Sequence, residues 1–426
     1  MRHAFISMFS LFLSCFILLL GNGLINVLLP VRMGIDGMSI ELIGIVLSLY
    51  YVGLLIGALY STKLIARAGH IRMFAGCVSL GAVSILICSL YADAFLWGTM
   101  RVVMGFCIAC AFTAMESWLG DSSTKENRGQ VLAIYNAVML AGLFGGQFFM
   151  NVSYAQDNKL FVIAGILLCV AVIPVVLSRH VGPTIEKVNA MPLRALHQRS
   201  PLGVVSCLIS GMLYSAIFSL LPVFANEFDI AGFKLSLYMG SAILGAFVLQ
   251  FPVGYLSDRF DRRTVLFVLL IISSCACIAV TVFASLAITW GVFLATAITC
   301  GIIACSYPLS ISEAFDKLRQ DEMVSAMSSM ILAFALGGVI GPYSTSLVMD
   351  KFGGSALFYF LALIQCLLAC FVIFRMRVRP ALPVTEQESF VMQGSVIVSA
   401  VELDPRTACS VTHSIMNAGD ENSPKL

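Results

Sequence analysis

Charge is what this chain has least of. Only 11% of its 426 residues are Asp, Glu, Lys or Arg, against about 25% in ordinary soluble domains. So few charges cannot solvate the surface of a soluble globular protein of this length, and that class is excluded. The signs nearly balance, 25 basic against 23 acidic residues for a net charge of +2, so no basic footprint for nucleic acid is present. The GxxxxGK[ST] phosphate loop is missing, which argues against intrinsic ATP use. HExxH and paired Cys/His spacings are missing as well. No catalytic residues, metal ligands or cofactor are therefore expected, and the chain does not read as an enzyme.

What is there instead is apolar: 59% hydrophobic residues and a mean hydropathy of +0.96. The apolar residues gather into twelve stretches, near 5–30, 40–60, 71–90, 95–118, 128–152, 159–178, 201–224, 234–256, 264–285, 288–312, 325–349 and 355–375. A helix of about 20 apolar residues crosses a hydrocarbon core of roughly 30 Å, and helices satisfy their own backbone in lipid. The expected fold is thus an all-α membrane protein with twelve transmembrane helices. An even number of spans returns both termini to one side. With the N-terminus inside, only Arg32, Lys159, Lys234 and Lys351 fall outside and Arg101 lies within a span, so the positive-inside rule places both ends in the cytoplasm. The first stretch is too long for a signal-peptide core and reads as a retained span.

All but one of the 14 cysteines lie in these spans, where they behave as small apolar fillers, Cys107 and Cys110 included. A loop at 179–200, with Arg179, Lys187, Arg194, Arg199, Pro183 and Pro192, separates the spans six and six and reads as a cytoplasmic linker. Residues 1–178 and 201–377 are then two pseudo-symmetric six-helix halves. Gly57 and Gly254 lie 197 residues apart, as do Glu116 and Glu313, while Gly105/Gly301 and Gly142/Gly338 repeat at 196. The second half therefore repeats the first in the same topology. Residues 378–426 read as a disordered polar tail, with one short apolar run from Phe390 to Val401.

Over about residues 5–375 the chain resembles the major facilitator superfamily. Gly254-Tyr-Leu-Ser-Asp258-Arg259-Phe-Asp261-Arg262-Arg263 follows that family's loop signature G-x-x-x-D-R-x-G-R-R, with Asp261 in place of the second glycine. Arg101-Val-Val-Met-Gly105 matches its R-x-x-x-G pattern, and Asp121-x6-Arg128-Gly129 its acidic-to-Arg-Gly loop. The first-half loop departs, with Ser61 where the family has Asp, and the antiporter motif is only partly present as Gly142-Leu-Phe-Gly145-Gly146. Gly69-His-Ile-Arg, Glu116-Ser-Trp-Leu and Gly146-Gln147 are similar to the YcaD-type bacterial inner-membrane subfamily. The resemblance implies the major facilitator fold, with spans 3, 6, 9 and 12 facing lipid and eight others around a cavity.

Costly polar side chains test that arrangement, because in hydrocarbon they face protein or water. Of Asn22, Asn26, Arg101, Glu116, Asn136, Gln147, Gln250, Glu313 and Gln365, only Gln365 falls on an expected lipid-facing span. Arg101 lies six residues into its span, roughly 9 Å deep at 1.5 Å per residue, with no Asp or Glu near that depth in any span. Two readings stand for it. One is a snorkelling or carbonyl-bonded arginine; the other is an element that tunes proton binding or holds a substrate anion. Asn22 and Asn26 share a helix face, as do Asn136 and Gln147, and Ser206, Ser210 and Tyr214 form a stripe. Cavity contact and interhelical bonding are both open for these stripes.

Asn22, Asn26, Arg101, Asn136, Gln147, Tyr214 and Gln250 are thus the substrate or coupling candidates. Glu116 and Glu313, at the inner ends of their spans, are expected to pair with the basic loops Lys63–Arg72 and Arg259–Arg263. Asp258 is expected to face a helix N-terminus at the seam between halves. With Asp121, Arg128, Arg259 and Arg262 these residues form a candidate conformational latch. The spacings Gly53-x3-Gly57 and Gly337-x3-Gly341 permit close helix approach. The expected function is secondary active transport of a small organic solute by alternating access, proton-coupled on the family resemblance. Alternatives are a lipid or amphipathic-drug exporter or flippase, and a non-transporting membrane sensor. Expected partners are a small-molecule substrate, protons and the lipid bilayer, with no nucleic acid. The chain is expected to be a monomer in a bacterial inner membrane.

Overall fold

The computed structural model describes residues 2–124, 127–177, 191–378, 383, 387, 390 and 391. The first half contains α1 (Arg2–Ile35), α2 (Ile40–Ala68), α3 (His70–Leu90), α4 (Ala94–Ser122), α5 (Arg128–Phe148) and α6 (Lys159–Val176). A single 3-10 turn, Phe149–Asn151, extends α5. After a short α7 (Leu193–Arg199), the second half contains α8 (Pro201–Glu227), α9 (Phe233–Val248), α10 (Gln250–Arg259), α11 (Arg262–Ser285), α12 (Thr289–Phe315), α13 (Gln320–Phe352) and α14 (Ala356–Val378). Among the described residues twelve helical segments are long and apolar enough to cross a bilayer, α9 and α10 together forming one of them, Phe233–Arg259.

Local chemistry sets the helix boundaries. Ser39, Asp93, Ser200 and Asp261 each accept a hydrogen bond from a backbone N–H in the first turn of α2, α4, α8 and α11, satisfying donors that have no partner within the helix. Asp261 thus serves as a cap at the position where the loop signature carries glycine. The α2–α3 turn is made by Gly69, whose φ of +82° suits a residue without a Cβ. The eighth span is interrupted at Leu249, between α9 and α10. Pro252 lies just beyond and has no N–H to give the carbonyl of Val248, so the ladder breaks there. The expected span at 234–256 is therefore one crossing built of two helices, and Pro252 carries the signal for the break.

Small residues bring helices together where hydrocarbon offers no hydrophobic drive. A Cβ on Gly53 would lie 2.0 Å from the carbonyl oxygen of Val102, and one on Gly105 would lie 2.0 Å from that of Tyr50. The α2 and α4 backbones therefore touch. In the second half, Gly337 and Gly341 press α13 onto α8 at Leu208 and Met212 in the same way.

Spans 3, 6, 9 and 12 pack within their own halves: α3 and α6 on each other and on α4 and α1, α11 and α14 on each other and on α12, α13 and α8. The halves meet through α2 on α13, α5 on α9, and α1 and α2 on α8. Gln365 of α14 is fully buried and directs its amide nitrogen to Cys277 of α11, 3.8 Å away, so its place on an outer helix exposes no polar group to lipid.

The seam is clasped at the end away from the chain termini. There Ser346 and Pro342 of α13 close over Gly44 of α2, and Phe144 of α5 covers Gly240 of α9. Asn151 donates to Ser236 at 2.9 Å, Ser236 donates to the carbonyl of Gln147 at 2.8 Å, and Phe148 stacks near Phe233 at 6.1 Å. At the terminal end Arg262–Asp316 at 2.6 Å, Arg263–Glu313 at 3.3 Å and His70–Ser117 at 3.1 Å each join residues of one half.

Of the expected linker, residues 179–190 lie outside the described residues. The remainder belongs to the second half: α7 packs on α8 and α13, the N–H of Met191 donates to Ser325 at 3.1 Å, and Arg199 pairs with Glu322. Most of the expected tail also lies outside the described residues. Phe390 and Val391 are described, and Val391 is buried against the core.

Candidate functional site

Between the halves, about midway along the bundle, lies a cavity with roughly 870 Å³ of empty space including its mouth. Helices α1, α2, α4 and α5 line it from the first half, and α8, α9, α10 and α12 from the second. Among the seven residues expected there, Asn22, Asn26, Arg101, Gln147, Tyr214 and Gln250 line the cavity. Asn136 does not: it is buried in α5, three turns nearer the terminal end than Gln147, so sharing a helix face did not bring it into the same space. Ser206 and Ser210 likewise lie outside, each donating to a carbonyl one turn back in α8, at 2.6 and 2.7 Å.

Arg101 is the cavity's single charged residue. Its side of α4 carries Gly105 one turn later, and the close α2–α4 approach at Gly105 sets Tyr50 beside it. The guanidinium lies 4.3 Å from the Tyr50 ring centroid and donates to Asn26 Oδ1 at 3.2 Å. Only 5% of Arg101 is exposed, and its Nε has no hydrogen-bond partner. Neither the snorkelling nor the carbonyl-bonded reading describes this arginine, which is held inside the bundle by a ring and an amide.

Three more polar atoms in the lining lack partners: Asn22 Oδ1, Gln147 Oε1 and Gln250 Oε1. The nitrogens of the two glutamines are occupied, Gln147 by the carbonyl of Leu143 at 2.8 Å and Gln250 by that of Ala246 at 3.1 Å. Buried polar atoms are nearly always bonded in native proteins. Four of the fourteen exceptions among the described residues, three acceptors and a donor, thus gather around one cavity.

Sequence reasoning found Tyr214 but missed the rest of the aromatic wall, Tyr50, Tyr51 and Phe218. Tyr50 and Tyr51 meet edge-on at 5.4 Å, and Tyr214 and Phe218 stack at 4.5 Å; all four line the cavity, with Ser219 and Met239. On an apolar span such residues look like packing. Proximity to Arg101 one turn of α4 from a glycine was the only available signal for Tyr50, and it needs the α2–α4 register to be read.

Glu313 does meet the second basic loop through Arg263, and also pairs with Lys317. Glu116 accepts a hydrogen bond from Tyr135 of α5 at 3.0 Å, a neighbour that its symmetric position did not suggest. Arg128 donates to Ser123 Oγ and to the Gly120 carbonyl, both at 3.4 Å, folding back onto the end of α4 beside Asp121. Arg262 pairs with Asp316 inside the second half. Arg259 lies over its neighbour Tyr255 at 4.2 Å. Asp258 Oδ1 accepts the N–H of Phe390 at 2.7 Å, a partner that the sequence did not suggest. Among the described residues no group of three or more His, Cys, Asp or Glu is arranged to hold a metal.

The chain matches the Major Facilitator Superfamily over residues 11–317 and 203–404. It belongs to that family. Its relatives include an uncharacterized MFS-type transporter of Enterobacter sp. strain 638, 28% identical over 83% of this chain and 92% of the relative. The uncharacterized MFS-type transporter YcaD of Escherichia coli strain UMN026 is also 28% identical, over 81% of this chain and 90% of its own. Among solved structures, the nucleoside transporter NupG superposes with a TM-score of 0.74 at 12% identity, covering 88% of this chain and all of that one. A bacterial homologue of the human lysosomal transporter Spinster, inward-facing and occupied, superposes with a TM-score of 0.70 at 16% identity, covering 90% and 98%. As a member of the Major Facilitator Superfamily the chain is a multi-pass membrane protein with the twelve-helix fold expected from its sequence.

Proposed function

We propose that this protein is a secondary active transporter that carries a small polar organic solute through the cavity between its halves by alternating access. The observation that carries the reading is the set of four buried polar atoms without partners, Asn22 Oδ1, Arg101 Nε, Gln147 Oε1 and Gln250 Oε1, on residues contributed by both halves. A guest that bonds to both halves has different interactions when they rock apart, which is the requirement for a ligand to bias one state over the other. The clasp at Gly44, Gly240 and Asn151 closes one end of the seam. With the termini in the cytoplasm, as the distribution of Lys and Arg supports, that closed end is periplasmic and the state is inward-facing. The driving force we assign is a proton gradient, on the family resemblance. No Asp or Glu stands in the cavity lining, so the coupling proton is not held by a cavity carboxylate.

Purified protein in proteoliposomes, offered a mixture of polar cell metabolites, should accumulate one or a few of them above the level in protein-free liposomes, and more so under an imposed pH gradient. Equal contents in both preparations would count against transport.

A further inference from the structure

Arg101 is a buried cation with no acidic partner among the described residues. The titratable side chains beside it are Tyr50, Tyr51 and Cys88, none of them a carboxylate. An uncompensated charge at this depth is costly, and a ring face with one amide replaces only part of its hydration. The wall around it holds no second Lys or Arg and no carboxylate. From this we infer that the cavity takes an organic monoanion that also carries hydrogen-bond donors, an inference that rests on the transporter reading of the same cavity.

Each element of that description has its own source. One guanidinium balances one negative charge, and a dianion would leave the second charge buried and unpaired. The Nε hydrogen is free while Nη1 serves Asn26, which leaves an edge of the planar fork for a carboxylate, the acceptor it matches best. The three orphaned acceptors demand donors: Asn22 and Gln147 on the first half, Gln250 on the second. A hydroxyl or amide N–H reaching Gln250 would tie the second half to an anion anchored on the first. The rest of the wall, Tyr51, Tyr214, Phe218, Met239 and Ile243, is apolar or aromatic and suits a carbon body rather than a bare inorganic ion.

The test uses the purified full-length protein in detergent and reads ligand-induced thermal stabilisation. The probes are hydroxy acids from lactate to 4-hydroxyphenylacetate, with phenylacetate as the acid without a hydroxyl, each beside its carboxamide. Tyramine is the cationic control; chloride and inorganic phosphate are the inorganic ones. At least one acid should stabilise at a concentration tenfold or more below that of its carboxamide. Arg101→Gln should erase that preference, and Gln250→Leu should weaken 4-hydroxyphenylacetate more than phenylacetate. A carboxamide or tyramine that binds as tightly as every acid overturns the inference, as does an acid preference that survives Arg101→Gln. A set of acids that never stabilises also overturns it, and stabilisation by chloride or phosphate alone overturns its organic part. The wild-type comparison needs no variant to fold. Counterflow of the same probes separates the two readings. Acids that bind without counterflow uphold the site and sink transport, whereas counterflow of a neutral carboxamide upholds transport and sinks the monoanion.

Discussion

The backbone N–H of Phe390 donates to Asp258 Oδ1 at 2.7 Å, and the ring of Phe390 rests on Gly254, where a Cβ would lie 2.8 Å from its Cδ1. Both Gly254 and Asp258 belong to the signature G-x-x-x-D-R of α10. The segment after the last span is therefore fastened to that signature by a charged acceptor and by the missing side chain of a glycine. Changing Gly254→Ala or Asp258→Ala should free the segment. With Val391→Cys as reporter, thiol labelling should rise several-fold in either variant, since a hydrogen bond to a charged group is worth about 1.5–3 kcal/mol when buried and less at this partly exposed site. Labelling that matches the parent protein would show that this contact does not hold the segment.

Arg262 and Asp316, 1% and 2% exposed and 2.6 Å apart, tie the start of α11 to the end of α12. Because both lie in one half, their bond is part of that half's framework. Arg262→Ala leaves a buried carboxylate without this partner and should cost about 3–5 kcal/mol. The double replacement Arg262→Met with Asp316→Leu should recover most of the loss, since apolar substitutes of similar volume remove both charges. Thermal denaturation in detergent decides it: a double variant no more stable than Arg262→Ala would contradict the assignment.

The twelve spans were legible because each rests on costs that lipid enforces residue by residue. An arginine or an amide within an apolar run, such as Arg101 or Gln250, is conspicuous by type alone. Tyr50 and Phe218 were not, since an aromatic residue on a membrane helix looks the same facing a cavity, a neighbour or lipid. Asn136 shows the limit of periodicity: it shares a face with Gln147, but the cavity does not extend three turns along α5. Glu116 and Glu313 show the limit of symmetry. Their positions repeat, yet Tyr135, which donates to Glu116, has no counterpart that the repeat alone predicts. The Phe390 contact depends on a hydrogen bond to backbone, which leaves no mark in a sequence.

Gly105 links the close packing of α2 and α4 to the site, as its bare backbone allows the approach that sets Tyr50 beside Arg101. A Cβ at Gly105 would meet the Tyr50 carbonyl oxygen at 2.0 Å and the Leu54 nitrogen at 2.9 Å. Both are backbone atoms that cannot swing aside. Gly105→Ala should therefore cost about 3 kcal/mol or more, at or above the upper end for overpacking, and reduce the yield of monodisperse protein. Gly76→Ala is the control. Nothing lies within 4 Å of its Cβ position, and alanine is favoured over glycine in a helix by up to about 1 kcal/mol. Equal yields for the two variants would contradict the close approach inferred at Gly105.

Rocking of one half against the other requires the clasp at Asn151 and Ser236, now bonded at 2.9 Å, to open in every cycle. The direct test joins these positions. Asn151→Cys and Ser236→Cys are combined in a protein whose exposed Cys169, Cys275, Cys366 and Cys370 are changed to alanine, and the pair is bridged with a short, reducible thiol crosslinker. Flux per molecule in proteoliposomes should fall below about a tenth of the uncrosslinked value and return on reduction, while each single variant treated alike transports normally. Normal flux through fully crosslinked protein would contradict alternating access through this cavity.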